Sequence, residues 1–194
     1  MSHKINNIRK IIEAIMILIL IVLSSVILYK HSEAKTQNKI YHNSIRVAGF
    51  YNTAYHTKMN VGIINKVMES AIKYNKEFFP NGPYTYKDII AIAIIESEFS
   101  QFLVGGSGEK GIFQILSPTE EFTELKMKHA NIFDIDTNTK VAYHVLKKKF
   151  NKHKDYYMGI IAYNGVRKLS DNTVSKVYWK RFEEARNVVD ILID

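Results

Sequence analysis

Residues 14–29 read AIMILILIVLSSVILY, with no charged side chain. No other segment restricts the fold of this chain as strongly. Ile11 and Ile12 extend the run across a single Glu13, so Ile11 to Tyr29 is long enough to cross about 30 Å of hydrocarbon as a helix. A buried core helix is the soluble alternative, but a run that is apolar all round leaves no face for water. Lys4, Arg9 and Lys10 precede the run, and Lys30 and Lys35 follow it. The basic start and apolar centre also suit a cleaved signal peptide. Yet Tyr29-Lys30-His31-Ser32-Glu33-Ala34-Lys35 places no small-x-small pair close behind the apolar stretch. We read residues 1–10 as a basic N-terminal segment and 11–30 as an uncleaved transmembrane signal anchor. The charges flanking it are nearly balanced and do not by themselves set its orientation.

Residues 31–59 are polar with scattered tyrosines, and read as a stalk or irregular lead-in to a domain over 60–194. From Val61 the pattern turns helical, with Ile64, Val67, Met68, Ala71 and Ile72 at three and four spacings. Pro80-Asn81-Gly82-Pro83 interrupts it. The apolar run Ile89 to Ile95 fits a buried strand or a helix. Thr85 with Asp88 resembles a capping box and decides for helix. Ser117-Pro118 opens a further helix, and Asp136 or Thr137 is expected to cap the next. Tyr156 to Tyr163 reads as a short apolar helix ending at Asn164-Gly165, and Val174 to Leu192 as a final amphipathic one. The fold class expected is mainly α.

The chain of 194 residues has no cysteine, which excludes disulfides, thiolate metal sites and a cysteine nucleophile. Its net charge of +8 favours polyanionic surroundings without choosing among nucleic acid, an anionic membrane and an acidic wall polymer. Lys147, Lys148, Lys149, Lys152 and Lys154 cluster with His144 and His153, a pattern that suits a solvated helix face or attraction to anionic wall polymers. No nucleic-acid-binding motif accompanies them, and no nucleic-acid partner is expected. Gly106-Ser107-Gly108-Glu109-Lys110-Gly111 fails as a phosphate loop, because no Lys follows a Gly and no Ser or Thr follows the Lys. The histidines show no metal spacing. Neither a metal nor a cofactor is expected.

Glu96 is the leading candidate for chemistry. It follows seven apolar residues, Ile89 to Ile95, and a carboxyl group at the end of such a helix is partly desolvated. Desolvation raises its pKa, and a carboxyl that stays protonated near neutrality can donate a proton to a leaving oxygen. The plain alternative is a Glu that marks where the helix meets water. Eighteen residues later comes Gln114, in Gly111-Ile112-Phe113-Gln114-Ile115, and further on Tyr163-Asn164.

Glu96-Ser97, the Gly111–Ile115 segment and Tyr163-Asn164, in that order and spacing, resemble the lytic transglycosylase family of the soluble-lytic (SLT), goose-lysozyme-like type. The resemblance covers roughly residues 87–166. It implies a helical lysozyme-like fold and cleavage of the β-1,4 bond between N-acetylmuramic acid and N-acetylglucosamine in peptidoglycan. One Glu, here Glu96, would serve first as acid and then as base on the sugar's own 6-hydroxyl, which closes a 1,6-anhydro ring. Ser97 would orient the junction after the helix, and Gly111 would permit close backbone approach. Phe113 would offer an apolar wall to a sugar, and Gln114 would hydrogen-bond an acetamido or hydroxyl group. Tyr163 would hold the Glu96 carboxyl, with Asn164 fixing the turn. The chain departs from the family pattern at Gly105, where a Ser is common and for which Ser107 is a stand-in, and at Glu109, where an Ala is common. Ordinary glycosidases use two carboxylates. Glu98 would face away on the helix, and Glu109 could approach from the Gly-rich loop, although a solvated loop acid is the simpler reading. The implied partners are peptidoglycan glycan strands and, through residues 11–30, the cytoplasmic membrane. The domain would then lie on the extracytoplasmic side, serving a secretion, conjugation or phage system. A water-using lysozyme and a non-catalytic wall-binding assembly protein are the alternatives.

Overall fold

The computed structural model describes the backbone of residues 2–165 and 172–193, and the side chains of 15–165 and 173–193. The side chains of Lys4, Arg9 and Lys10, and residue 166 at the end of the motif-bearing stretch, lie outside the described residues. The chain divides into two compact units, at Lys39/Ile40.

Helix α1 runs Ser2–Ala54. In the first unit its side chains from Ile15 to Tyr29 are exposed. Among the described residues it is the one helix long and apolar enough to cross a membrane. Over 31–59, expected as a stalk or irregular lead-in, the chain is helical as far as Ala54 rather than irregular. From Ile40 onward it belongs to the second unit, where Ile40, Ser44, Val47, Ala48 and Tyr51 are buried. Their spacing places them on one helical face. Ser44 satisfies its hydroxyl within the helix, on Ile40 O at 2.9 Å, and so can enter the core.

The second unit continues with α2 (Val61–Phe78), α3 (Tyr86–Ser97), α4 (Pro118–Glu124), α5 (Ile135–His153), α6 (Tyr156–Tyr163) and α7 (Asn172–Leu192). No strand is present among the described residues; two isolated bridges, Val104 with Lys110 and Lys110 with Ile115, pin the Gly-rich loop. Helix α2 packs on α5 and α3, α3 on α7, and α5 on α6.

Helix α3 is the centre. Ile89, Ile90 and Ile92 are fully buried, each contributing about 1.5–3 kcal/mol. A helix with no water-facing stripe is stable only when wrapped by others. Its start is fixed as the sequence implies, with Asp88 Oδ2 accepting from the Thr85 N–H at 2.6 Å and the Thr85 hydroxyl at 3.1 Å. Its end is a reversal through two left-handed residues, Glu98 (φ 51°) and Phe99 (φ 61°), which returns the Phe99 ring to the core. Helix α5 is capped two residues before the first of the expected caps. Asp134 Oδ1 accepts from the Thr137 N–H at 2.8 Å. Asp136 instead bonds across to α2, taking Tyr74 Oη at 2.6 Å and Ser70 Oγ at 3.0 Å.

Helix α6 is locked by Tyr84, whose buried hydroxyl donates to Tyr156 O at 3.0 Å and lies directly over Gly159. A methyl group at 159 would collide with that hydroxyl and ring. Gly159→Ala is therefore expected to lower stability by about 1–3 kcal/mol even though alanine is the better helix former. Urea unfolding of the two chains side by side measures it.

Candidate functional site

Glu96 occupies the last turn of α3, where buried isoleucines give way to an open cleft of about 790 Å³. The walls include Glu96, Gly105, Gly106, Glu109, Gln114, Tyr163 and Asn164. They continue past Leu116, Glu120 and Glu121 to Val145, Lys148, Lys149 and Lys152. The cleft thus runs from a carboxyl set on an apolar helix to a strongly basic end on α5.

Burial pushes the Glu96 carboxyl above the ordinary range. A hydrogen bond from Tyr178 and the positive charge of Arg181 oppose the shift, and the negative charge of Glu109 adds to it. Tyr178 Oη donates to Glu96 Oε1 at 2.6 Å. Arg181, one turn along α7, donates to Ile95 O at 2.8 Å and so ties α7 to the end of α3.

The backbone from Gly111 to Phe113 is clamped from three sides. Ser97 Oγ donates to Ile112 O at 2.7 Å, and Tyr163 Oη donates to Phe113 O at 2.9 Å. Asn138, buried on α5, accepts from the Phe113 N–H at 2.9 Å. Its amide also lies where a Cβ on Gly111 would stand, and Gly111 has φ +77°, so both space and backbone call for glycine there. The clamp forces Gln114 into a left-handed conformation, φ 47°, with its amide donating to Gly111 O at 2.8 Å.

Of the residues singled out from sequence, Glu96, Gln114, Tyr163 and Asn164 meet at the cleft. Three expectations change. Tyr163 does not hold Glu96, because its hydroxyl is committed to Phe113 O; Tyr178 holds it instead. Phe113 is fully buried and offers no wall to a sugar. Ser107 is exposed and contributes only its N–H, which bonds Glu109 Oε2 at 3.0 Å. Ser97 and Gly111 stand behind the cleft as supports. Glu98 is exposed, but it lies just past α3 in the left-handed reversal and not on the helix. Tyr178, Arg181 and Asn138 escaped the sequence reading. Tyr178 lies on a face with Phe182, Ala185 and Val189, all buried, and a tyrosine in such a row needs a hydrogen-bond partner.

The basic cluster divides. Lys147 lies over the Phe78 ring at 5.6 Å. Lys148 bonds Glu124 at 2.8 Å and Glu121 at 3.1 Å. Glu121, Glu124 and His144 lie close enough to share a cation, but the Lys148 ammonium already sits on both carboxylates.

The family model described as the transglycosylase SLT domain matches residues 83–185, which include Glu96, Gln114, Tyr163 and also Tyr178. The chain belongs to the transglycosylase SLT family. No curated protein and no solved structure matches it. Membership fits the mainly α, lysozyme-like unit and points to a transglycosylase-type function acting on peptidoglycan. It also reaches α7, beyond the motifs that carried the sequence resemblance, and so takes in the SLT residue that bonds Glu96.

Proposed function

We propose that the protein is a membrane-anchored peptidoglycan lytic transglycosylase. The observation that carries the reading is a Glu96 carboxyl half removed from water, oriented by Tyr178, in a cleft it shares with Gln114 and Asn164. Glu96 enters the reaction protonated. It gives its proton to the oxygen of the β-1,4 bond as the bond to the N-acetylmuramic acid C1 breaks. The resulting carboxylate then takes the proton of that sugar's 6-hydroxyl, whose oxygen closes on C1 as a 1,6-anhydro end. Glu96 finishes protonated, ready for another turn. Gln114 and Asn164 supply hydrogen bonds to the sugar's polar groups. Helix α1 anchors the enzyme in the cytoplasmic membrane, with the second unit on the extracytoplasmic side where peptidoglycan lies. Local opening of the wall for a secretion, conjugation or phage system suits an anchored enzyme with one catalytic unit.

Digestion of purified sacculi with the full chain in detergent tests this. Products ending in 1,6-anhydromuramoyl groups are expected by mass spectrometry. Reducing ends, heavier by one water, would make the enzyme a lysozyme. Binding with no release would make it a wall-binding protein.

Tyr178→Phe separates orientation from acidity. Loss of the hydroxyl removes a hydrogen bond that favours the ionised carboxyl, so the Glu96 pKa rises further and the alkaline limb of kcat/KM moves to higher pH. The carboxyl also loses its tether, and kcat is expected to fall roughly 10- to 100-fold, the scale of one charge-assisted hydrogen bond. A pH–rate profile on soluble glycan strands reads both.

A further inference from the structure

Of the other carboxylates that line the cleft, Glu109 is the one that acts on the charge of Glu96. Glu109 lies in the Gly-rich loop, yet it does not wave in solvent. The loop is folded back by hydrogen bonds from Gly105 N–H to Glu109 O at 2.8 Å and from Gly108 N–H to Gly105 O at 3.1 Å. The Glu109 carboxylate is fixed in turn by the Ser107 N–H. It fills the space that any side chain at position 105 would need. A Cβ on Gly105 would stand 2.5 Å from Glu109 Oε2 and 2.6 Å from Gln114 Oε1. A missing side chain at 105 opens room beside Gln114, and the carboxylate of residue 109 occupies it.

We propose that Glu109 is a second catalytic carboxylate, set beside Gln114 in the cleft that Glu96 also lines, whose negative charge stabilises the positive charge that develops on the sugar as the glycosidic bond breaks. The proposal rests on the transglycosylase reading and adds a group to it. Glu96 keeps both proton transfers, and Glu109 takes part in neither. As the electrons of the breaking bond leave with the departing oxygen, C1 and the ring oxygen share a cationic charge. A fixed anion in a cleft partly shielded from water stabilises that charge more than the neutral ground state, and so raises kcat rather than affinity.

Among the described residues, the groups that face Glu96 are Tyr178 and Arg181 from α7, Tyr163 from α6 and Glu109 from the loop. Of these, Glu109 is the anion that raises the Glu96 pKa. Glu109→Gln in the full chain is expected to lower kcat at least about tenfold with KM little changed. The alkaline limb of its pH profile should move to lower pH, since Glu96 gives up its proton more readily once the neighbouring charge is gone. Glu109→Asp, which keeps the charge, should recover part of kcat and hold the limb near its parent position. A Glu109→Gln chain with kcat within about twofold of the parent, or a Glu109→Asp chain no better than Glu109→Gln, overturns the proposal. Should Glu96→Gln be inactive in the same assay while Glu109→Gln is fully active, the transglycosylase reading stands and this one fails. Sacculi left uncut by the parent chain would bring down the reading beneath it.

Discussion

Glu96→Gln is expected to abolish cleavage of sacculi, a loss of at least about a thousandfold, while leaving the fold unchanged. General acid–base assistance alone is worth about 10²–10⁴ in rate, and in the proposed reaction one group supplies both the acid and the base. Glutamine matches the shape, and its carbonyl can still accept the Tyr178 hydroxyl, so the cleft wall is preserved. It carries no proton that can be given to an oxygen and taken back. Stability separates this loss from unfolding. Burial raises the folded pKa of Glu96 above its unfolded value. Between those two values the unfolded chain has already released the proton that the folded chain still binds, so stability falls as pH rises through the window. Glutamine has no proton to release. The variant should therefore be at least as stable as the parent at alkaline pH, while inactive at every pH. Unfolding curves at two pH values, run beside the sacculus assay, check both halves. Residual cleavage above a few per cent of the parent would remove Glu96 from the chemistry.

The position of Glu96 was readable because several local signals agree. A capping pair starts α3, an apolar run buries it, and the first acid after that run lies at its exposed end. Gln114 and Asn164 were readable from motif spacing. The hydrogen-bond partners were not, because a hydroxyl takes the nearest unsatisfied acceptor that the packed fold supplies. Tyr163 reaches the Phe113 carbonyl, which the left-handed turn at Gln114 leaves facing it, and Tyr178 arrives at Glu96 from a helix 82 residues further on. Phe113 illustrates the same limit. A ring beside a glutamine proposed to bind substrate suggests a sugar platform, but the Asn138 clamp turns that ring into the core. Residues 40–54 were missed for a different reason. Their buried face is helical in spacing, but one of its members is Ser44, and a polar residue in the stripe hides the period from a count of apolar side chains. The missed cap of α5 follows from competition. Asp136 has three partners on α2, and Asp134 is the acid free to meet the Thr137 N–H.

Asp88→Ala is expected to cost about 3–5 kcal/mol, the cost of breaking a buried, hydrogen-bonded ion pair from one side. Asp88 is 2% exposed and joins three helices. Its Oδ2 caps α3 through Thr85. Its Oδ1 accepts from Tyr156 Oη on α6 at 2.8 Å and from Arg186 Nε on α7 at 2.7 Å. Removal leaves four donors aimed at an empty space, the Thr85 N–H and hydroxyl, Tyr156 Oη and Arg186 Nε, with the Arg186 cation held among them by its other ion pair, to Asp190. Because α7 also carries Tyr178 and Arg181, loosening it should degrade the orientation of Glu96 before the chain unfolds, so activity should decline at lower urea than helicity does. Replacing both partners discriminates a paired charge from mere filling of volume. If the loss arises from an abandoned cation, Asp88→Leu with Arg186→Leu should be less destabilised than the sum of the single changes. Additive single changes, or an Asp88→Ala cost below about 1 kcal/mol, would show that packing rather than this ion pair fixes α7 against α3.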